Sequence, residues 1–217
     1  MNRIPGDEIK SVLVSRLRFM GDVILTTPLL AALRRGFPGV HIGYLVEEPY
    51  HALLEHHPDV DELYAFKRGS DRGQLDLVRA LRRRKWDASI DLFGNPRSAL
   101  LLYMSGARWR IGGDFRGRRH LYTHRIPDHG ERMTAIAYHL RYLAPLGIEG
   151  GGDPSRIVVT EAEKEEARRY LQSKGYDPGR PVIGLHPGAT WPAKRWFPER
   201  FAALAARLLN EKRQVLF

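Results

Sequence analysis

The chain has 217 residues, of which 43% are hydrophobic, and it contains no cysteine. This composition predicts a folded protein with a sizeable core and excludes disulfide bonds and thiolate metal sites. Arginine and lysine number 35 against 25 aspartates and glutamates, and the resulting charge of +10 favours polyanionic partners such as phosphorylated substrates, an anionic membrane surface or nucleic acid.

No apolar run approaches the roughly 20 residues that are needed to cross a bilayer. The first residues carry charges on both sides of a short apolar stretch and lack a small-residue cleavage site, so they do not resemble a signal peptide. We therefore expect a cytoplasmic protein.

Short, apolar, β-branched runs alternate with segments of helical periodicity along the first two thirds of the chain. Strands are predicted at residues 11–17, 40–46, 62–66, 88–92 and 108–111. Helices are predicted at residues 23–37, 49–57, 73–85, 96–105 and 131–146, with a long loop at 112–130. This alternation predicts an α/β fold in which helices cover both faces of a parallel sheet.

A second unit is predicted to begin near residue 150, where three glycines, an aspartate and a proline interrupt the pattern. Its predicted elements are a strand at 156–159, a helix at 161–174, a linker at 175–181, a strand at 181–185, a helix at 198–212 and half a strand at 214–217. One βαβ unit cannot bury both faces of its sheet. The chain is therefore expected either to end inside a second α/β domain or to pack this unit onto the first.

A strand-to-helix turn near the start of the chain carries Arg16, Gly21 and Asp22. Ligands of open α/β sheets bind at the carboxyl ends of the strands, and this turn lies at such an end. Gly21 would let the backbone approach a ligand or adopt a positive φ. Asp22 lies at the helix N-terminus and could act as a general base toward a hydroxyl group. Aspartate is also a standard capping residue there, and from this turn alone we favour the capping role.

The segment GLHPGATWPAKRW lies between the strand predicted at 181–185 and a helix. Backbone amides around Gly188, the hydroxyl of Thr190 and the charges of Lys194 and Arg195 could bind a phosphate or diphosphate. The segment is neither a Walker A loop nor a GxGxxG fingerprint. A loop with a solvated basic pair is an equally good interpretation.

Asn95 and Arg97 follow the strand predicted at 88–92, at the same edge of the sheet as Asp22. Arg97 could hold a carboxylate or a phosphate, and Asn95 a hydroxyl. Asn95 is also suited to cap the next helix, with Pro96 at its first position, and the two roles are compatible.

The segment from Asp59 to Asp61 resembles the DxD pattern that holds a divalent metal in some enzymes. It lies between a helix-ending proline and a strand, where we favour a solvated turn. The nine histidines show no metal-binding spacing. We predict neither a metal nor a cofactor.

Taken together, six stretches resemble glycosyltransferase family 9, the lipopolysaccharide heptosyltransferases. They are VLVSRLRFMGDVILTTPLLAALRRGFPG, YLVEEPY, HPDVDELYAF, WDASIDLFGNPRSALL, HLRYLAPLGI and VIGLHPGATWPAKRWFPERFAALAARLL. They cover nearly the whole chain in the order of the family, and this order makes the resemblance specific.

The resemblance implies a fold of the GT-B type. Residues 1–150 would form a Rossmann-like acceptor-side domain, 151–180 a connecting segment and 181–217 the first part of a second Rossmann-like domain that binds the nucleotide sugar. The family's later Asp-Ser/Thr-Gly-x-x-His segment, which helps hold the donor, is not in this chain. We therefore expect a truncated donor domain, lacking on the order of 100–150 residues, and little activity of the chain alone.

The resemblance also implies a metal-independent, inverting transfer of a heptose or similar sugar from an ADP-sugar to a lipopolysaccharide core acceptor. Asp22 matches the family's catalytic carboxylate. The donor-binding residues would be Gly188, Thr190, Lys194 and Arg195. The acceptor-binding residues would be Arg16, Gly21, Asn95 and Arg97.

The implied partners are a nucleotide-sugar donor, an anionic lipid-linked saccharide acceptor and, through peripheral contact, the inner membrane face. We expect no nucleic acid partner because the basic runs lack interleaved stacking aromatics. The alternative function is a non-catalytic module that keeps the acceptor-side fold and binds an anionic glycan or a partner chain.

Overall fold

A computed structural model describes residues 3–69, 71–127, 130–189 and 191–217. The chain divides into two compact units, Met1–Val158 and Val159–Phe217. The finer division into segments 1–150, 151–180 and 181–217 stays a prediction. No helix within the described ranges is long and apolar enough to cross a membrane.

The first unit is built on a six-stranded sheet in which every neighbouring pair of strands is parallel. The strands are β1 (Ser11–Ser15), β2 (His41–Glu47), β3 (Glu62–Phe66), β4 (Ala88–Asp91), β5 (Trp109–Gly113) and β6 (His124–Ile126). Their order in the sheet is β3-β2-β1-β4-β5-β6. Because the order changes direction between β1 and β4, a ligand-binding crevice is expected at the carboxyl ends of these two strands.

Helices cover both faces of this sheet, as predicted. They are α1 (Met20–Ile24), α2 (Thr27–Gly36), α3 (Asp71–Arg83), α4 (Pro96–Met104) and α5 (Ala135–Leu140). Short 3₁₀ helices lie at Gly6–Glu8, Glu48–Leu53, Arg119–Leu121 and Arg141–Leu146. Val12 and Val14 of β1 pack with the leucines of α2 in one buried cluster, whereas Leu13 packs with leucines of α3 and α4 in another. All five residues of β1 are therefore buried.

The helix predicted at 23–37 is wrong as a single element, because the structure has two helices there, α1 and α2. Pro28 stands near the start of α2, where its missing N–H and its ring prevent a continuous helix through the preceding turn. The hydroxyls of Thr26 and Thr27 donate to the carbonyls of Val23 and Ile24, at 2.7 and 2.8 Å, and satisfy the last turn of α1.

Residues 112–130 were predicted as a loop, but they contain strand β6 and a 3₁₀ helix. β6 has only three residues and pairs with β5, with His124 opposite Ile111. The helices predicted at 49–57 and 131–146 are shorter than expected and are partly 3₁₀, the second around Pro145. The strand predicted at 156–159 is not formed: the N–H of Arg156 donates to the Thr27 hydroxyl at 2.9 Å instead of to a neighbouring strand.

The second unit consists of α6 (Glu161–Ser173) and a βαβ segment, β7 (Val182–Gly184), α7 (Pro198–Asn210) and β8 (Gln214–Leu216). β7 and β8 pair in parallel, with Ile183 opposite Val215, as the sequence predicts. α6 begins with a capping box, in which the Glu163 N–H donates to the Thr160 hydroxyl at 3.2 Å and the Thr160 N–H to the Glu163 carboxylate at 2.7 Å.

Candidate functional site

Asp22 and Arg16 form an ion pair at the crevice between the carboxyl ends of β1 and β4. Asp22 Oδ1 lies 3.1 Å from Arg16 Nη2, and Asp22 Oδ2 accepts a hydrogen bond from the Phe19 N–H at 3.2 Å. Asp22 is the third residue of α1, so the hydrogen bond to Phe19 is a capping contact. Its side chain is nevertheless 37% exposed. The capping role and accessibility to a ligand therefore coexist, and each carboxylate oxygen keeps a free acceptor position.

Gly21 does not adopt a positive φ, because it lies inside α1. That part of the prediction is wrong. Among the described atoms, nothing lies within 4 Å of the position that a Cβ would occupy at Gly21. The space beside its backbone is therefore open, and its proposed contact with an acceptor stays a prediction.

Three arginines, which we call the arginine cluster (Arg16, Arg18 and Arg118), lie on the loops after β1 and β5. The guanidinium carbons of Arg16 and Arg18 lie 4.9 and 5.7 Å from the centroid of the Phe93 ring, which belongs to the loop after β4. Arg16 Nη1 also donates to the carbonyl of Leu92 at 2.7 Å. Arg16 thus ties the Asp22 turn to the loop after β4.

Arg118 stacks on the ring of Phe115, at 5.1 Å from its centroid. Phe115 packs against Gly94, which has a φ of +64° and where a Cβ would lie 2.2 Å from the Phe115 ring. Only glycine allows both this backbone conformation and this close approach. Within the described parts of the chain, the buried Nε atoms of Arg16, Arg18 and Arg118 have no hydrogen-bond partner. Buried donors of this kind are satisfied by ordered water or by an ion, and guanidinium groups pair well with anionic oxygens.

Asp91, the last residue of β4, fixes the shape of the loop that carries Phe93 and Gly94. Its carboxylate accepts hydrogen bonds from the N–H groups of Phe93 and Gly94 and from the hydroxyls of Ser98 and Tyr122, at 3.1, 2.9, 2.9 and 2.6 Å. The side chain is fully buried. Burial raises the pKa of Asp91, and the four hydrogen bonds oppose this effect.

Asn95 and Arg97 follow this loop. Asn95 Oδ1 accepts a hydrogen bond from the Ser98 N–H at 2.8 Å, with Pro96 at the first position of α4, so the predicted capping role is present. Arg97 stacks on Phe66, at 5.2 Å from the ring centroid, and lines a groove between α3 and α4. The structure therefore places Arg97 beside the end of β3, whereas Arg16 lies against Phe93.

His139 of α5 lies beneath the Asp22 turn, where it is 3% exposed and its Nδ1 lies 3.3 Å from the Leu25 carbonyl oxygen. Burial lowers the pKa of His139, as does the charge of Arg16, while the Leu25 carbonyl and Asp22 oppose the shift. Burial likewise lowers the pKa of His57.

We expect both histidines to make the fold sensitive to acid. A histidine whose pKa is lower in the folded state contributes stability above its unfolded pKa of about 6.5, and this stability is lost as the pH falls through the folded value. The measurement is the urea midpoint of unfolding between about pH 7.5 and pH 5. Replacing His57 and His139 by glutamine should flatten this dependence, whereas the exposed control His120→Gln should not. An unchanged slope in the double variant would contradict the prediction.

The loop between β7 and α7 carries the predicted phosphate-binding residues of the second unit. Arg195 Nε donates to the carbonyl of Ala189 at 2.7 Å, so Arg195 helps to shape the loop. Lys194 ends the 3₁₀ helix Pro192–Lys194 and is exposed, and the backbone of Gly188 is exposed too. Thr190 lies outside the described residues. The donor-binding role of these four residues stays a prediction.

Among the described residues, no group of three or more metal-ligating side chains could hold a metal ion. Asp61 of the DxD-like segment has a structural role: it accepts from the Ile42 N–H and from Arg34, each at 2.7 Å. Burial alone would raise the pKa of Asp61, but these hydrogen bonds outweigh it and lower the pKa.

Sequence reasoning missed Arg18, Arg118 and the anchoring role of Asp91. The spacing of Arg16 and Arg18 after a strand was a usable signal, because both follow β1 at the ligand-binding edge. Arg118 belongs to a basic run of the sequence, and only the fold shows that its Nε is buried.

Comparison with known proteins identifies similar sequences and structures. The model of glycosyltransferase family 9 (heptosyltransferase) matches residues 74–217. Lipopolysaccharide heptosyltransferase 3 of Escherichia coli is 26% identical, with 87% of this chain and 57% of that protein aligned.

Among solved structures, a family 9 glycosyl transferase from Veillonella parvula DSM 2008 superposes with a TM-score of 0.89 at 28% identity, covering 99% of this chain and 64% of that one. The ADP-heptose lipopolysaccharide heptosyltransferase II of E. coli gives a TM-score of 0.74 at 26% identity, with coverage of 95% and 63%. These matches confirm the predicted α/β fold. The chain spans 57% to 64% of the length of these proteins.

Proposed function

This chain belongs to glycosyltransferase family 9, and from that membership we propose that it takes part in moving a heptose, or a similar sugar, from an ADP-sugar donor to a lipopolysaccharide core acceptor. The first unit, with its Rossmann-like sheet, would bind the acceptor, and the β7–α7 loop would contact the donor diphosphate. The similarity to E. coli lipopolysaccharide heptosyltransferase 3 and to the E. coli ADP-heptose lipopolysaccharide heptosyltransferase II supports this choice of substrates.

The observation that carries the proposal is the position of Asp22. An accessible carboxylate stands at the crevice where the strand order changes direction, and Arg16 and the Phe19 N–H hold its orientation. A carboxylate in this position is suited to remove a proton from a hydroxyl group.

In the proposed reaction, a hydroxyl oxygen of the acceptor attacks the anomeric carbon of the donor sugar. Asp22 takes the hydroxyl proton as the new carbon–oxygen bond forms. The bond between the anomeric carbon and the diphosphate breaks on the opposite side, so the configuration is inverted and ADP leaves. Lys194 would stabilise the negative charge that develops on ADP, without a metal ion.

The arginine cluster supports an anionic acceptor. The guanidinium groups of Arg16, Arg18 and Arg118, whose Nε atoms have no partner among the described residues, would donate to carboxylate or phosphate oxygens of the acceptor saccharide. The overall charge of +10 would favour encounter with such an acceptor at the cytoplasmic face of the inner membrane.

The donor part of the proposal predicts that ADP binds to this chain and that Lys194→Ala weakens the binding by about tenfold, the usual loss for one hydrogen bond to a charged group. Isothermal calorimetry with ADP in the presence of EDTA measures this affinity and tests metal independence at once. The matched control is Lys164→Ala, since Lys164 is an exposed lysine of the same unit that pairs with Glu161.

Equal losses in the two variants would contradict a specific role of Lys194. Loss of ADP binding in EDTA would contradict a metal-independent donor site. A chain that binds no nucleotide but binds an anionic core saccharide would instead support the non-catalytic glycan-binding module.

A further inference from the structure

A groove of about 620 Å³ runs between α3 and α4, on the face of the sheet opposite α2. Its lining is mainly aliphatic, and its principal residues are Leu75, Val78, Leu100, Leu101, Met104 and Arg97. This volume lies within the range of about 300–1,000 Å³ that is typical of ligand sites in proteins. The groove is distinct from the Asp22 crevice.

The leucines of α3 and α4 have two opposite environments. Leu77 and Leu81 of α3 point inward and are 8% and 0% exposed, as core residues are. Leu75 on α3 and Leu100 on α4 are 55% and 50% exposed, and Tyr103 beside them is 50% exposed. Large apolar side chains that gather at the rim of an apolar groove mark a surface that binds an apolar partner.

Arginines surround the exposed apolar side chains. On α3, Arg72 and Arg79 lie three residues before and four residues after Leu75, on the same exposed face of the helix, and Arg82 and Arg83 extend this face. On the other side, Arg97 lines the groove, and the Arg110 guanidinium stacks on Tyr103, 5.3 Å from its ring centroid. The partner of this surface is therefore expected to be both apolar and anionic.

An anionic lipid bilayer combines these two properties. Arginines bordering exposed leucines can pair with lipid phosphates while the leucines enter the acyl region. An aliphatic groove complements an acyl chain, whereas single-stranded nucleic acid is bound by stacking aromatics, which the groove lining lacks among the described residues.

We propose that the α3–α4 groove receives an acyl chain of an anionic phospholipid and that this face of the first unit rests on an anionic membrane, with the arginines of α3 and Arg97 at the lipid phosphates. The inference does not depend on sugar transfer. It assigns a surface to the membrane contact that does not include Asp22, although Arg97, which was also predicted to bind the acceptor, lies on it.

The test is sedimentation of the 217-residue chain with vesicles of phosphatidylglycerol and phosphatidylethanolamine, compared with vesicles of phosphatidylcholine alone. The wild type should bind the anionic vesicles, and added salt should weaken the binding. The double variant Leu75→Asp/Leu100→Asp should bind the anionic vesicles at least roughly tenfold more weakly, because it removes two leucines that the membrane contact would bury. Both positions are about half exposed, so the variant should fold, which circular dichroism checks.

The matched control is Ile157→Asp. Ile157 is 45% exposed and follows Arg156, whose N–H donates to Thr27 of α2, on the opposite side of the sheet. This variant should bind vesicles as the wild type does, and Asp22→Asn should do so too, which separates membrane binding from the proposed reaction.

Any of three results would overturn the inference: no binding of the wild type to anionic vesicles, equal binding to phosphatidylcholine, or equal binding of the double variant. Self-association of the wild type that Leu75→Asp/Leu100→Asp abolishes, measured by sedimentation velocity, would show instead that the groove joins two copies of the chain.

Discussion

Replacing Asp22 by asparagine is expected to lower sugar transfer by about 10²–10⁴-fold, the usual contribution of a general base. An asparagine side chain can still accept the hydrogen bond from the Phe19 N–H, so the cap of α1 should remain. It cannot take a proton from an attacking hydroxyl, and it loses the charge that pairs with Arg16. The variant therefore separates the capping role from the catalytic role.

Release of ADP from ADP-heptose, in the presence of a lipopolysaccharide core acceptor, measures the effect. The matched control is Asp76→Asn, because Asp76 pairs with Arg79 on an exposed helix and has no place in the proposed reaction. The thermal midpoint should stay within a few degrees of the wild type in both variants. Turnover by Asp22→Asn at the wild-type rate would refute the role of Asp22, and no ADP release by the wild type would refute transfer by this chain.

Replacing Asp91 by alanine is expected to lower the free energy of unfolding by about 3–5 kcal/mol, as when one partner of a buried polar network is removed. The substitution leaves the N–H groups of Phe93 and Gly94 and the hydroxyls of Ser98 and Tyr122 without their common acceptor. Burial raises the pKa of Asp91 because it penalises the charged carboxylate. Removing the carboxylate removes this penalty, but the gain offsets only part of the lost free energy of unfolding.

Urea unfolding followed by circular dichroism measures this change. The control is Asp114→Ala, since Asp114 is an exposed aspartate just after β5 and should change the free energy of unfolding by less than about 0.5 kcal/mol. The loss of unfolding free energy in Asp91→Asn should lie between those of Asp91→Ala and Asp114→Ala, because the asparagine amide oxygen can still accept some of the four hydrogen bonds. A loss below about 1 kcal/mol in Asp91→Ala would show that other groups or water satisfy the loop.

Five of the six strands of the first unit could be predicted to within two residues, because strands in the middle of a parallel sheet are buried on both faces. Each is a short apolar run bounded by glycine, proline or charged residues, and β3 at Glu62–Phe66 has the predicted bounds. β6 was not predicted, because it has only three residues and two of them, His124 and Arg125, are polar. It forms by pairing with β5, which is a contact between segments that are distant in sequence. Local periodicity carries no information about such pairing.

The candidate site was predictable where its residues have local roles. The cap at Asn95 and the contact of Asp22 with the start of α1 follow from neighbouring residues. Pairing of Asp22 with Arg16 and the burial of the Nε atoms of Arg18 and Arg118 depend on how three loops meet at the edge of the sheet. A charge count shows how many arginines are present, but it does not show which of them have lost water.

Two guanidinium groups pack around the single ring of Phe93. Like charges that share one ring repel each other, and the ion pair with Asp22 compensates the charge of Arg16. An anion that enters the crevice would relieve this repulsion as well as form its own hydrogen bonds, so we expect the folded state to bind anions that the unfolded chain does not. Phosphate or sulfate in a buffer should for that reason raise the melting temperature of the protein and compete with the proposed anionic acceptor.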